Sequence, residues 1–186
     1  MESGQHGGRG TGETTVAERI VNAVAAIVPS PAALHEPAFA GNELAYVKEC
    51  LDTGWVSSAG AFVDRFENDL ADYTGASNVV ATVNGTAALH ACLMLAGART
   101  GDEVIVPALT FVATANAVAY CGAHPHFTDS EERTLGLDAA KLDQHLSSIS
   151  EASAEGRVNK QTGRPIRAVI CVHVFGNPVD LDPLLD

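Results

Sequence analysis

Apolar residues recur along this chain in two rhythms, helical and strand-like, and the changes between them predict its elements. From Thr15 the positions Val16, Ile20, Val24 and Ile27 repeat at helical spacing and stop at Pro29-Ser30-Pro31, where proline cannot continue a helix. A short amphipathic helix and a loop are expected there. Ahead of them, residues 1–13 are polar and glycine-rich without any period, which predicts a mobile tail. A second helix is expected from Asn42, as side-chain cap, with Glu43 at the positive end of the dipole, to about Gly54. The small-residue loop Gly54-Trp55-Val56-Ser57-Ser58-Ala59-Gly60 follows. A third helix carries Phe62, Phe66, Leu70 and Tyr73 toward the core and ends at Gly75.

Beyond Gly75 the rhythms alternate. The β-branched run Val79 to Val83 predicts a strand, followed by a helix from about Thr86 to Ala96 and a strand Glu103 to Val106. A helix from about Thr110 to Cys121, a strand His124 to Phe127, a helix Asp138 to about Ile149 and a strand Arg167 to Val174 complete the series. The polar stretch Glu151 to Pro165, with Gly156 and Gly163, is expected to be a poorly ordered exposed loop. Helices alternating with short apolar strands imply an α/β fold, a mostly parallel sheet covered by helices, with the four strands in one sheet. At the end of the chain Asp182 as cap and Pro183 in the first turn start one more helix. Because domains seldom stop within one turn of an apolar-faced helix, a truncated domain is expected.

Composition narrows the classes of function. At 46% hydrophobic and 18% charged, 186 residues can form a soluble core. The 23 acidic residues against 11 basic ones oppose binding to a phosphate backbone, so nucleic acid is excluded as the main ligand. Cys50, Cys92, Cys121 and Cys171 form no CxxC pair and sit among apolar neighbours, a usage that suits a reducing cytoplasm. The N-terminus has no basic start with an apolar core, and no apolar run is long enough to span a bilayer, so no membrane partner is expected. Without a signal peptide, the sequon Asn84-Gly85-Thr86 would not meet the enzyme that glycosylates it.

That triplet is more informative as chemistry. In Val79-Val80-Ala81-Thr82-Val83-Asn84-Gly85-Thr86-Ala87-Ala88-Leu89-His90, a predicted strand turns tightly into a predicted helix. Gly85 permits close approach of a ligand, the next amides point outward, and the Thr86 hydroxyl can donate to an anion. The form is that of a phosphate cradle. A capped helix start, with Thr86 satisfying only the backbone, explains the same residues. A second segment, Pro107 to Asn116, places Phe111 after the next strand, where its ring could stack on a flat heterocycle in the same crevice as the Thr86 loop, or could be ordinary core. His124 and His126 alternate on one strand face and could bind a metal with a third ligand such as Asp129, but a fourth is undefined and no metal is expected. The run Asp129-Ser130-Glu131-Glu132 reads as a solvated turn.

Several segments together carry a family resemblance. Leu34-His35-Glu36-Pro37, Gly54-Trp55-Val56-Ser57-Ser58, Phe62-Val63-Asp64-Arg65-Phe66-Glu67, the Asn84 to His90 motif, Pro107 to Asn116 and His173-Val174-Phe175-Gly176-Asn177-Pro178-Val179-Asp180 resemble, in order, the DegT/DnrJ/EryC1/StrS sugar aminotransferases, with a close likeness to their legionaminic-acid-type branch. The likeness runs from about residue 34 to the end. It divides the chain into a tail (1–13), an N-terminal helix and loop (14–33), and the N-terminal part of a large domain (34–186) of the fold type I class of pyridoxal 5'-phosphate (PLP) enzymes.

The resemblance implies an enzyme that uses PLP to move an amino group, usually from glutamate, to a keto group of a nucleotide-linked sugar. The setting implied is the cytoplasmic synthesis of a bacterial surface polysaccharide, with the full-length protein a homodimer. Gly85 and Thr86 match the phosphate-binding turn, Phe111 the aromatic that stacks on the cofactor ring, and Trp55, Ser57 and Ser58 a loop near the substrate sugar. His173 matches a histidine beneath the site and is assigned no chemistry. The family's Schiff-base lysine and the carboxylate facing the pyridine nitrogen fall beyond Asp186, so no catalytic residue is assigned and the chain alone is expected to be inactive. Lys48, Lys141 and Lys160 match no catalytic context. Relatives that dehydrate sugars with PLP, and a non-catalytic truncated protein, are the alternatives.

Overall fold

The computed structural model describes residues 14–28, 31, 36–154 and 156–185. Residues 1–13, most of the loop after the first helix, and Leu34 and His35 of the resemblance lie outside them. The chain divides into two compact units, Met1–Gly60 and Ala61–Asp186.

The first unit holds α1 (Val16–Ala25) and α2 (Glu43–Thr53). α1 begins with a reciprocal cap: Glu18 N–H donates to Thr15 Oγ1 at 3.2 Å, and Thr15 N–H donates to the Glu18 carboxylate at 2.8 Å. Its apolar stripe is formed as expected and stays open, with Val16, Ile20, Val24 and Ile27 all more than half exposed. At α2 the expected cap does not form. Asn42 makes no side-chain cap bond, and the Glu43 carboxylate instead accepts from Gly41 N–H at 2.9 Å. The helix ends where expected, at Gly54, in the left-handed conformation that glycine tolerates (φ 76°).

In the second unit α3 (Ala61–Thr74) precedes α4 (Gly85–Leu95). The inward face expected of α3 is not buried: Phe66 and Tyr73 are 55% and 89% exposed. The strand expected at 79–83 is also absent. These residues are extended but form no ladder, Val80 and Val83 are exposed, and Ala81 N–H donates to the Glu67 carboxylate of α3 at 2.7 Å. β-branched residues favour a strand only where a neighbouring strand takes up their N–H and C=O groups.

The sheet is built from β1 (Glu103–Pro107), β2 (His124–Thr128), β3 (Ser150–Ser153), β4 (Gly156–Asn159) and β5 (Pro165–Val169), in the order β2-β1-β5-β4-β3. β1 runs parallel to β2 and β5, whereas β4 is antiparallel to both its neighbours. Residues 151–165 are therefore not the expected loop. They form a hairpin and the approach to β5, because polar side chains suit an edge ribbon with one solvated face. The strand expected at 167–174 ends as a ladder near Ile170, whose N–H donates to Ile105 C=O; Val174–Gly176 is a 3₁₀ turn.

β1 is the buried centre, with Val104, Ile105 and Val106 wholly inaccessible. Val104 and Val106 pack with Leu93 of α4, Ala117 and Val118 of α5 (Val112–Tyr120), and Ile170. α6 (Ala139–Ile149) meets the opposite face of the sheet through His126, the register partner of Ile105. The final helix α7 (Asp182–Leu185) forms, but Leu181 takes the capping position: its C=O accepts from Leu184 and Leu185, and Asp182 is the first helical residue.

Candidate phosphate site at the start of α4

Asn84 stands in extended conformation before α4, and its Oδ1 accepts from Ala87 N–H at 2.8 Å while its C=O accepts from Ala88 N–H at 3.1 Å. Asn84 is therefore the helix cap, and the Thr86 hydroxyl has no part in it. Within an α-helix the first amides have no carbonyl to donate to, so those of Gly85 and Thr86 point away from the helix body. A Cβ built on Gly85 meets no atom within 4 Å, so open space lies beside the turn. The partial positive charge of an 11-residue helix adds to these donors.

A recess of about 390 Å³ adjoins the turn, lined by Asn84, Thr86, Ala87, His90 and Tyr120. His90 and Tyr120 meet edge to face with ring centroids 5.8 Å apart. Neither was given a role on sequence grounds. The available signal was spacing: Thr86 and His90 are four apart and share a helix face.

Phe111 is the residue before α5, and it is 72% exposed, so it is not core among the described residues. The structure does not bring it into the Thr86 recess. Tyr120, at the last turn of α5, lines the recess, and nine residues of helix separate the two aromatics by roughly 13 Å along the axis. The expected convergence assumed that 79–83 lies in the sheet and holds the start of α4 at the carboxyl edge of the strands. That ladder is missing here.

Trp55, Ser57 and Ser58 belong to the first unit. Trp55 is 60% exposed and closes over Gly60, where a Cβ would sit 3.4 Å from its own. Ser57 Oγ accepts from Ala59 N–H at 3.4 Å, and Ser58 is exposed. His173 Nδ1 accepts from Val179 N–H at 3.0 Å, which fastens the last segment of the chain.

The lysines are not set up as nucleophiles. Lys48 pairs with Asp52 on the surface of α2. Lys141 donates to Asp129 at 2.8 Å, a hydrogen bond and charge that push its pKa up rather than down. Lys160 is exposed. His124 and His126 do not cooperate: His126 bonds Glu103 and His145 instead, and among the described residues no group of three or more His, Cys, Asp or Glu is placed to hold a metal ion. Of the cysteines, Cys121 packs on the core as expected, whereas Cys92 and Cys171 are exposed.

The second unit is thus an α/β fold in which the start of α4, with the amides of Gly85 and Thr86, borders an open recess. Residues 37–186 match the DegT/DnrJ/EryC1/StrS aminotransferase family, and the chain belongs to that family. It is 45% identical over 150 residues to GDP-perosamine synthase of Caulobacter vibrioides, covering 81% of this chain and 36% of that protein. The GDP-perosamine synthase of Escherichia coli O157:H7 is 36% identical, with 82% and 38% covered. Among solved structures, a DegT/DnrJ/EryC1/StrS aminotransferase from Brucella abortus superposes with a TM-score of 0.66 at 30% identity, over 76% of this chain and 35% of that one. Spr1654 of Streptococcus pneumoniae in its PLP form gives 0.63 at 28%, over 80% and 34%. The chain thus spans little more than a third of the length of the curated relatives it matches.

Proposed function

We propose that this chain is the phosphate-gripping, N-terminal part of a PLP-dependent aminotransferase that moves an amino group from an amino acid, glutamate by preference, to a keto group of a nucleotide-linked sugar. The observation that carries the reading is the start of α4, where the Gly85 and Thr86 amides, the free Thr86 hydroxyl and the open space at Gly85 fit a phosphate. Family membership and the GDP-perosamine synthase relatives point to a nucleotide sugar, and GDP is the nucleotide to test first.

When bound, PLP supplies the electron sink for the carbon that exchanges its amino group. The chain's own share is binding. Gly85 and Thr86 hold the phosphate; Phe111, outside the Thr86 recess in this chain, is the residue the family resemblance gives for stacking on the heterocycle, and Trp55, Ser57 and Ser58 form the loop it gives for the sugar. No lysine of the chain stands in a setting that would make it the covalent partner of the cofactor. The division into a tail at 1–13, a helix and loop at 14–33 and the large-domain part at 34–186 goes with this reading. So do a cytoplasmic setting in surface-sugar synthesis and a homodimeric whole protein. Among the described residues no helix is long and apolar enough to cross a membrane.

The test compares PLP with pyridoxal, which lacks the phosphate, by equilibrium dialysis. PLP is expected to bind at least about tenfold more tightly, the worth of one or two charge-assisted hydrogen bonds, and to be displaced by inorganic phosphate. Equal binding of the two ligands overturns the phosphate site. Quenching of the lone tryptophan, Trp55, by a GDP-linked sugar and not by GMP tests the sugar loop.

A further inference from the structure

Away from the start of α4, a chain of polar side chains runs from the centre of the sheet to the surface. Glu103, at the start of β1, is 3% exposed. Its Oε1 accepts from Thr162 Oγ1 at 2.6 Å, and its Oε2 accepts from Asn159 Nδ2 at 2.9 Å and bonds His126 Nδ1 at 3.0 Å. His126 Nε2 then faces His145 Nε2 of α6 at 2.8 Å, with ring centroids 5.0 Å apart. His145 opens into a recess of about 260 Å³ that it shares with Phe127, Thr128, Asp129, Lys141 and Leu142.

The hydrogen-bond inventory restricts the protons of this relay. Burial pushes the Glu103 carboxyl up, but the hydrogen bonds from Thr162, Asn159 and His126 outweigh it, so the group is held below its ordinary range and is ionised at neutral pH. An ionised carboxylate only accepts, which places a proton on His126 Nδ1. The variable atoms are the two facing Nε2 nitrogens. A contact of 2.8 Å between them needs one donor and one acceptor, hence a single proton between them. That condition holds when both rings are neutral and when the pair carries one positive charge. It fails when both rings are imidazolium, because each Nε2 then bears its own proton and no lone pair remains.

We propose that the Glu103–His126–His145 relay is a proton-operated latch between α6 and the sheet, closed while the two Nε2 atoms share one proton and released when each acquires its own. Protons reach it from the recess that His145 lines. On α6, Lys141 lies one turn before His145 and is ion-paired with Asp129 and Asp138. On β2, His124 is exposed. Near the 159–162 turn, Arg157 donates to Ser150 Oγ and Lys160 is exposed. Among the described residues Glu103 is the charged group bonded to the histidine pair, and it stabilises the first added charge but cannot relieve the clash of the second.

The experiment follows amide hydrogen exchange of α6 in the whole chain at about pH 7.5 and about pH 5, the span over which imidazoles titrate, with the intrinsic pH dependence divided out. The opening of α6 should increase at least about tenfold at the lower pH, the scale of one lost charge-assisted hydrogen bond, while β1 stays protected. His145→Gln keeps a donor and an acceptor but cannot take a proton, so its α6 should change less than about twofold. His124→Gln should respond as the wild type does. An equal response in His145→Gln and wild type, or none in wild type, overturns the latch. Should His145→Gln not fold, imidazole ¹⁵N spectra of the wild type decide: two doubly protonated rings with α6 still protected also overturn it.

Discussion

Val179 occupies the space that a side chain on Gly136 would need: a Cβ built on Gly136 would lie 2.7 Å from the Cβ of Val179. Val179 is 4% exposed, and its N–H is held by His173. The turn before α6 and the segment after β5 therefore dock through Gly136. Gly136→Ala is expected to cost about 1–3 kcal/mol, the usual penalty for over-packing, measured by urea denaturation. In the double variant with Val179→Ala, part of that loss should return. Strict additivity of the two single changes would show that the contact is not the cause.

Glu103 sets an acid limit. Its folded pKa is depressed, so its contribution to stability is fully present above the unfolded carboxylate value, about pH 4.5, and is lost as pH falls through the lower folded value. Thermal melts from about pH 6 to pH 3 should decline most steeply below about pH 4. Glu103→Gln should be less stable at pH 6 and should show a flatter decline. A parallel curve would mean that other carboxylates dominate.

At Gly85 structure and ligand make separable demands. Its φ is not in the positive region and a Cβ would meet nothing, so Gly85→Ala should leave the melting temperature within about 2 °C of wild type. Close approach of a phosphate would nonetheless be obstructed, and PLP binding should weaken by about tenfold or more. Unchanged PLP affinity in a folded Gly85→Ala protein would remove the turn from the site.

The lysines offer a chemical check. With Lys141 held charged by Asp129, and with Lys48 and Lys160 on the surface, borohydride treatment of the chain mixed with stoichiometric PLP should leave only fractional pyridoxyl label spread over the exposed amines, and no lysine labelled stoichiometrically. Peptide mass spectrometry reads the result. One fully labelled lysine would identify a nucleophile that the structure does not show.

Local information was enough for most helices and for the helix start after Asn84. The stripe of α1, the stop at Gly54, the start of α4 and the buried run of β1 depend on periodicity and on glycine or asparagine at chain reversals, all properties of neighbouring residues. The motif Asn84-Gly85-Thr86 was legible as a helix start for the same reason, with Asn84 rather than Thr86 as the cap.

What tertiary structure decided were the matters that need a partner distant in sequence. Val79 to Val83 has the composition of a strand but finds no neighbouring strand, whereas the polar residues 150–159 become two strands because β5 supplies an edge to pair with. The position of Tyr120 rather than Phe111 beside Thr86 depends on how α4 lies over α5, which no local pattern specifies. His126 and His145 are nineteen residues apart, and Glu103 and Thr162 fifty-nine, so their relay exists only once β1, β2 and α6 have packed. Sequence periodicity reports which face of an element is apolar; which groups meet across that face is settled by packing, because side-chain hydrogen bonds act over about 3 Å whatever the separation along the chain.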